Sequence, residues 1–328
     1  MSQIAESLEK TLGESLESVD QSGEGLFRSG RDGVRSILTS GDGKADFIIF
    51  DDKVLVYVGS SLGHPAVYRW LPVEFNPPAK ALLMDLDGTS VRSEEFWIWI
   101  IEGSIAKLMG DPHFQLSSED LPYVSGHSVT EHLSYCITKY CPDQDLKSAR
   151  DCYDQVSRFE LAEISKGRGR VGAFRPSPGL KEFLLEMKGQ GIRLGLVTSG
   201  LYEKAWPEIL SAFGSLNLGD PVDFYDCIIT AGAKVGNGQV GTLGELSPKP
   251  HPWLYAEAAR VGLGVLRSDD SRVMGIEDSG AGVLSVRLAG FSVAGISGGN
   301  IVASGARPFL SHYVEELTDL IPVVLGRE

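Results

Sequence analysis

Asp85-Leu86-Asp87-Gly88-Thr89 follows directly on the apolar run Ala81-Leu82-Leu83-Met84, so two carboxylates at i and i+2 leave the end of a strand-like segment together. One such carboxylate can attack a phosphorus atom while the other handles protons. Gly88 lets the chain turn sharply and brings backbone close to a ligand. By itself the string also fits an Asp-Gly turn that merely closes a strand. Three more segments carry side chains of related chemistry. Thr198-Ser199-Gly200 ends the run Leu194-Gly195-Leu196-Val197. Its hydroxyls and free N–H groups at a strand-to-helix turn suit a phosphoryl oxygen, and equally suit an ordinary helix cap. Ser247-Pro248-Lys249-Pro250-His251-Pro252 places a lysine between prolines that restrict its backbone. A rigidly held ammonium stabilises charge on a transferring group, although a solvated lysine in a Pro-rich loop reads the same. Gly275-Ile276-Glu277-Asp278-Ser279 puts two acids at the end of the run Arg272 to Ile276. Crowded carboxylates raise one another's pKa unless a cation intervenes, and oxygen donors beside a phosphate suit Mg²⁺. Acids at a helix N-terminus are the plainer alternative.

These residues meet only if the elements carrying them converge. Short apolar runs at Ala81 to Met84, Ile192 to Val197, Tyr225 to Thr230, Arg272 to Ile276 and Phe291 to Ile296 read as buried parallel strands. Helical stretches such as Gly179 to Gln190, Tyr202 to Phe213 and Pro252 to Val261 alternate with them. The pattern predicts an α/β fold built on a doubly wound parallel sheet, whose strands end on one edge. A nucleophile, an acid/base, two phosphate anchors and a metal site would then share that edge, which is the set phosphoryl transfer requires. Between the first two strands lies a long segment with helical patterns and almost no strand signal. A compact sheet domain does not hold that much loop, so residues 93–171 are expected to form an inserted helical domain, with 78–92 and 172–328 making the core.

Residues 1–77 are expected to be an appended α+β module without a chemical motif. Ile4, Leu8, Leu12 and Leu16 fall four apart and predict a helix over 1–19. A Gly/Ser-rich stretch follows to about Gly43, then strand-like runs at Phe47 to Phe50, Lys53 to Gly59 and Ala66 to Phe75, before Asn76-Pro77-Pro78 breaks the chain. With no motif upstream of that break, a chain begun near Pro78 is expected to keep catalytic competence.

The 328 residues carry a net charge of −14, which argues against nucleic-acid and anionic membrane partners. A small anionic substrate remains compatible, because a metal ion reverses the local sign. No run of 18 apolar residues occurs, and the start at Met1-Ser2-Gln3 has no apolar signal core, so a cytoplasmic location is expected. Cys136, Cys141, Cys152 and Cys227 form no metal spacing and are expected to be free thiols.

With these motifs in this order, the sequence from about 79 to 320 resembles the haloacid dehalogenase superfamily, in the branch of phosphoglycolate phosphatase and β-phosphoglucomutase with a helical cap. The resemblance implies that Asp85 forms an aspartyl-phosphate and that Asp87 protonates the leaving oxygen and then activates water. It implies that Thr198 and Lys249 hold the phosphoryl group, with Thr89, Ser199 and Gly200 beside it. Mg²⁺ would sit on Asp85, the Asp87 carbonyl and Asp278, with Glu277 a further ligand or a support behind them. The cap loop containing Gly126, His127 and Ser128 would choose the substrate, a small phosphorylated metabolite; a homodimer stays open. Phe96, Trp97 and Trp99 would line the pocket or pack the first cap helix. Arg92 departs from the acid that relatives often carry there, and the stretch from Gly232 to Leu246 is longer and richer in glycine than usual. Asp87 favours phosphotransfer over halide displacement. Trp97 and the absence of arginine from the cap loop favour a phosphatase over a sugar-phosphate mutase. A phosphonate-cleaving hydrolase would need an imine-forming lysine, for which Lys107 and Lys139 are candidates. A regulatory protein on the same fold is the non-enzymatic alternative.

Overall fold

The computed structural model describes residues 13, 15–59, 65–117, 119–120, 129–230 and 249–327, with the backbone alone at Glu131. The expected positions Ile4, Leu8 and Leu12, the loop residues Gly126, His127 and Ser128, and the stretch from Gly232 through Pro248 lie outside the described residues. Strand β1 (Glu17–Val19) begins an antiparallel sheet that continues through β2 (Val34–Thr39), β3 (Ala45–Phe50), β4 (Val54–Val58) and β5 (Ala66–Arg69), in that spatial order. Where a helix was expected to run to residue 19, Glu17, Ser18 and Val19 instead pair with Thr39, Leu38 and Ile37. The Gly/Ser-rich surroundings hid β2, whose Val34, Ile37 and Leu38 are buried.

Next come β6 (Ala81–Asp85) and β7 (Val91–Arg92), then helices α1 (Glu94–Met109), α2 (Val129–Tyr140) and α3 (Leu146–Ser165), and β8 (Arg175–Pro176). The chain returns through α4 (Leu180–Gly189), β9 (Arg193–Val197), α5 (Tyr202–Leu216), α6 (Pro221–Phe224) and β10 (Cys227–Ile229). Helix α7 (Trp253–Glu257), β11 (Val273–Glu277), α8 (Gly280–Leu288), β12 (Ser292–Ile296), β13 (His312–Val314) and α9 (Leu320–Leu325) complete it. The second sheet has the order β10-β9-β6-β11-β12-β13 and every pairing in it is parallel. The chain therefore winds outward in both directions from β6. All five residues of β6 are buried, as expected of a central strand covered on both faces. Strand β13 was not anticipated; its residues are exposed or half-buried, so its sequence lacks the apolar run that marks the others.

Contacts divide the chain into two compact units, one of Met1–Ser90, Ser177–Ala205 and Asp220–Glu328, the other of Val91–Pro176 and Trp206–Gly219. The second unit is largely helical. Helix α1 buries Phe96, Ile100, Ile101, Ser104 and Ile105. Phe96 packs edge-on against Phe174 and Trp97, with ring centroids 4.6 and 5.0 Å away, and Arg170 stacks on Trp99. This cluster is a packed helix face. Lys139 and the hydroxyls of Tyr135 and Tyr140 all donate to the buried Asp120 carboxylate. The four cysteines are unpaired, and no described helix is long and apolar enough to cross a membrane.

The amino-terminal sheet shares the first unit with the parallel sheet, and one apolar cluster serves both. Phe47, Ile49, Val56, Val58 and Trp70 join Leu83, Val283, Val286, Phe291 and Phe309 within it. Phe47 stacks on Phe309 at 5.2 Å, and Arg287 lies over the Trp70 ring. On the opposite face Ile37, Ile48 and Tyr57 form a smaller cluster with Phe27 and Phe50. A strand buried on both faces packs best with both partners, so the shared core argues against removing residues 1–77. Phe47→Ala is expected to cost about 3–5 kcal/mol, read as a lower urea midpoint. Loss of Trp70 fluorescence and of far-ultraviolet ellipticity should stay coincident. A chain begun at Pro78 should fail to fold in soluble form; a stable monomer of that length would overturn the shared core.

Candidate active site

Strand β6 carries Asp85 to the point where the sheet order reverses, and its neighbours β9 and β11 end beside it with Thr198 and Glu277-Asp278. Open α/β sheets leave a crevice for ligands at this switch point. After β6 the chain turns through Gly88 at φ +83°, where a side chain would also collide with the Asp278 carboxylate. Gly299 approaches Asp278 from another side with equally little room. Two glycines thus make the space in which that carboxylate sits.

Asp85, Glu277 and Asp278 each offer a carboxylate oxygen within 4.8 Å of the others. Asp85 is 4 % exposed and Glu277 fully buried. Lys249 enters this cluster with its own side chain 8 % exposed. Its ammonium donates to Asp85 Oδ1 and, at 2.5 Å, to Glu277 Oε1. Burial alone would lower the lysine pKa, but the two carboxylates outweigh it and hold the amine charged. Burial, followed by the Glu277 charge, pushes Asp85 well above the usual carboxylate range and Asp278 up to about 7, with Lys249 opposing both. One ammonium does not neutralise three acids. A hard divalent cation beside Asp85 and Asp278 would restore their ionised forms, so the donor set and the glycine-made space fit such an ion.

The other partners sort the cluster further. Glu277 Oε1 also accepts from the Tyr255 hydroxyl, and Oε2 accepts from the Ser279 N–H and hydroxyl at 3.3 and 3.0 Å. Both oxygens are thereby occupied by groups of the chain. Thr89, fully buried, donates to Asp278 Oδ1 at 3.2 Å and so steadies that carboxylate. Thr198 Oγ1 accepts from the Gly200 N–H at 2.9 Å and donates to Asp87 Oδ2 at 3.3 Å. Ser199 accepts from the Lys249 N–H at 3.1 Å, so it pins the lysine segment. Ser279 caps α8 by accepting from the Gly282 N–H, which places the two acids just ahead of a helix N-terminus as well as at a strand end.

Two side chains went unread in the sequence. Lys204, in the first turn of α5, pairs with Asp87 at 3.4 Å, both about one-third exposed. Tyr255, in α7, supports Glu277 and lies under the Lys249 ammonium at 5.2 Å. A lone lysine and a lone tyrosine inside helices carry no motif, and only the fold brings them to the strand ends. A cleft of about 570 Å³ lies at the opposite, amino-terminal ends of the strands, lined in part by Lys80, Arg193, Arg272 and Arg327. Each of those cations already has a partner, in Asp269, the Leu263 carbonyl, the Pro78 carbonyl and Glu186 respectively.

Comparison with known proteins places the fold and the family. A relative in Methanocaldococcus jannaschii, a glyceraldehyde 3-phosphate phosphatase, is 27 % identical over 131 residues, 40 % of this chain and 56 % of its own length. The match thus spans little more than half of that relative. CbbY from Rhodobacter sphaeroides, solved with phosphate, superposes with a TM-score of 0.52 at 19 % identity, covering 76 % of this chain and 99 % of its own. A predicted phosphoglycolate phosphatase from Haemophilus somnus superposes with a TM-score of 0.56 at 17 % identity, covering 75 % and 98 %. Both likenesses are of fold. Residues 79–290, which carry all four motifs, match the model of the haloacid dehalogenase-like hydrolases. The chain belongs to the haloacid dehalogenase-like hydrolase family.

Proposed function

We propose that the protein is a Mg²⁺-dependent phosphatase acting on a small phosphorylated metabolite through an aspartyl-phosphate on Asp85. The observation that carries this reading is the buried Lys249 ammonium shared by Asp85 and Glu277, beside Asp278, at the switch point of the sheet. Asp85 attacks phosphorus, forming an oxygen–phosphorus bond as the bond to the leaving oxygen breaks. Asp87 gives that oxygen its proton, then takes one from the water that cleaves the acyl-phosphate and releases inorganic phosphate. Lys249 and Thr198 hold phosphoryl oxygens. Glu277, its oxygens already engaged by Lys249, Tyr255 and Ser279, keeps the lysine aimed and charged. Asp85, the Asp87 carbonyl and Asp278 would hold Mg²⁺, which when bound supplies positive charge against the phosphoryl oxygens.

Water as the acceptor is supported by the phosphatase named among the relatives, and by Trp97 and a cap-loop sequence without arginine, which do not suit a sugar-phosphate mutase. The phosphonate-cleaving alternative needs a lysine that readily loses its proton. Lys139 is held by Asp120, which raises its pKa, and Lys107 is turned toward Gln155. The substrate class is sought with a panel of phosphorylated metabolites and Mg²⁺, following phosphate release. β-Glucose 1-phosphate with a trace of the 1,6-bisphosphate is included, and glucose 6-phosphate appearing without matching phosphate would replace the phosphatase by a mutase.

Asp85→Asn is expected to abolish turnover while leaving the melting temperature close to wild type, since the amide cannot form the acyl-phosphate; retained activity would remove Asp85 from its role. EDTA should extinguish activity and Mg²⁺ restore it, with Asp278→Ala needing far more Mg²⁺ for half-maximal rate. Full activity in metal-free buffer would refute the metal. Glu277→Gln keeps the shape but removes one charge facing Lys249. A drop of about 10–100-fold in kcat is expected, with a smaller change in Mg²⁺ requirement than Asp278→Ala gives. The reverse order would make Glu277 a metal ligand.

A further inference from the structure

The family match begins at residue 79, yet one support of the lysine segment comes from outside it. Lys249-Pro250-His251-Pro252 leads into α7, and His251 is only 1 % exposed. The segment is tied at several points. The Lys249 N–H donates to Ser199 in the turn after β9. The Ser285 hydroxyl of α8 donates to the His251 carbonyl at 2.5 Å. The His251 ring reaches the amino-terminal sheet, where Nδ1 and the Tyr68 hydroxyl of β5 share a hydrogen bond of 2.8 Å and the rings meet edge-on at 5.9 Å. The Trp253 ring lies against the other side of the turn, its centroid 5.5 Å from that of His251. Tyr68 has a fixed address of its own. It pairs with Val56 in the ladder to β4, and Val56 belongs to the apolar cluster shared by both sheets.

We propose that Tyr68 is a positioning residue for Lys249, through which the amino-terminal sheet holds the lysine segment in register with Asp85 and Glu277. The inference rests on the reading of Lys249 as the cation that holds the phosphoryl group. A lysine ammonium on a four-carbon stem is placed only as well as its backbone is placed, and charge stabilisation falls steeply with displacement. His251 lies two residues along, its carbonyl tied to α8 and its ring to β5. Without the Tyr68 hydroxyl, Nδ1 becomes a buried polar atom lacking its partner, and the segment relieves that by moving. The amino-terminal sheet is therefore part of the active site's framework although it brings no reacting group.

The test uses the full chain carrying Tyr68→Phe, which removes one oxygen and keeps the ring. Hydrogen exchange of the peptide 249–258 is compared with wild type, and kcat and KM are measured on para-nitrophenyl phosphate with Mg²⁺. Exchange should accelerate and kcat fall about three- to tenfold, the size of one hydrogen bond, with KM within about twofold and the melting temperature little changed. His251→Asn, whose amide can still meet the Tyr68 hydroxyl, should retain most of kcat where His251→Ala loses as much as Tyr68→Phe. Ile37→Val, in the apolar cluster on the far face of the sheet, should lower stability without changing kcat. Unchanged exchange in Tyr68→Phe overturns the inference whatever the activity, and so does faster exchange with unchanged kcat. A wild-type protein that releases no phosphate from any ester would instead refute the phosphatase reading, and the exchange result would still decide whether Tyr68 anchors the segment.

Discussion

Three carboxylates, Asp85, Glu277 and Asp278, are held within 4.8 Å of one another with little of their surface exposed, and the site is organised around that repulsion. Left alone, such a cluster takes up protons and loses the charge its chemistry needs. Lys249 supplies one compensating charge from inside, and the remainder calls for a cation from outside. The arrangement divides the acids by role. Glu277 is fully engaged by Lys249, Tyr255 and Ser279, whereas Asp278 is steadied by Thr89 and lies in space left by Gly88 and Gly299. Ground-state strain of this kind suits phosphoryl transfer, because the charge that relieves it also neutralises the incoming phosphate.

The backbone makes the crowding affordable. Asp85 ends the central strand of a parallel sheet, where both neighbours contribute ladder hydrogen bonds and every residue is buried. Glu277 ends the adjacent strand and Asp278 follows it, both ahead of a helix N-terminus whose dipole favours negative charge. Lys249 alone of the four neither ends a strand nor directly follows one. Its position depends on side-chain ties to the turn after β9, to α8 and to the amino-terminal sheet. That makes its segment the part of the site most sensitive to changes far from the chemistry.

The amino-terminal sheet is more than an appendage in another sense. Strand β3 is buried on both faces, with Phe47 and Ile49 in the cluster shared with the parallel sheet and Ile48 in the smaller one. Phe309, from near the end of the chain, stacks on Phe47 and packs against Trp70. Early and late parts of the sequence thus share one core.

The four motifs and five of the six parallel strands were legible in the sequence, because each strand is a short apolar run, three motifs follow strand ends and the fourth stands at the head of a helix. The spacing of Asp85 and Asp87, the acids at 277 and 278, and the lysine between prolines are local facts that need no fold to be seen. What the sequence could not convey was which groups share a hydrogen bond. Strand β13 is too exposed to show an apolar run, and β2 lies among glycines and serines, so period and composition both failed there. Residues 1–77 looked separable because they hold no motif, but a shared core is a property of packing, and packing joins Phe47 to a residue more than 260 positions away. Thr89 and Ser199 looked like ligands of a phosphate, and only the tertiary structure turned them toward Asp278 and the Lys249 backbone. Lys204, Tyr255 and Tyr68 were invisible for the same reason. Residue type and local spacing determine what chemistry a chain can perform, whereas the burial and distance that give each group its charge, its partner and its aim arise only when distant segments fold against one another.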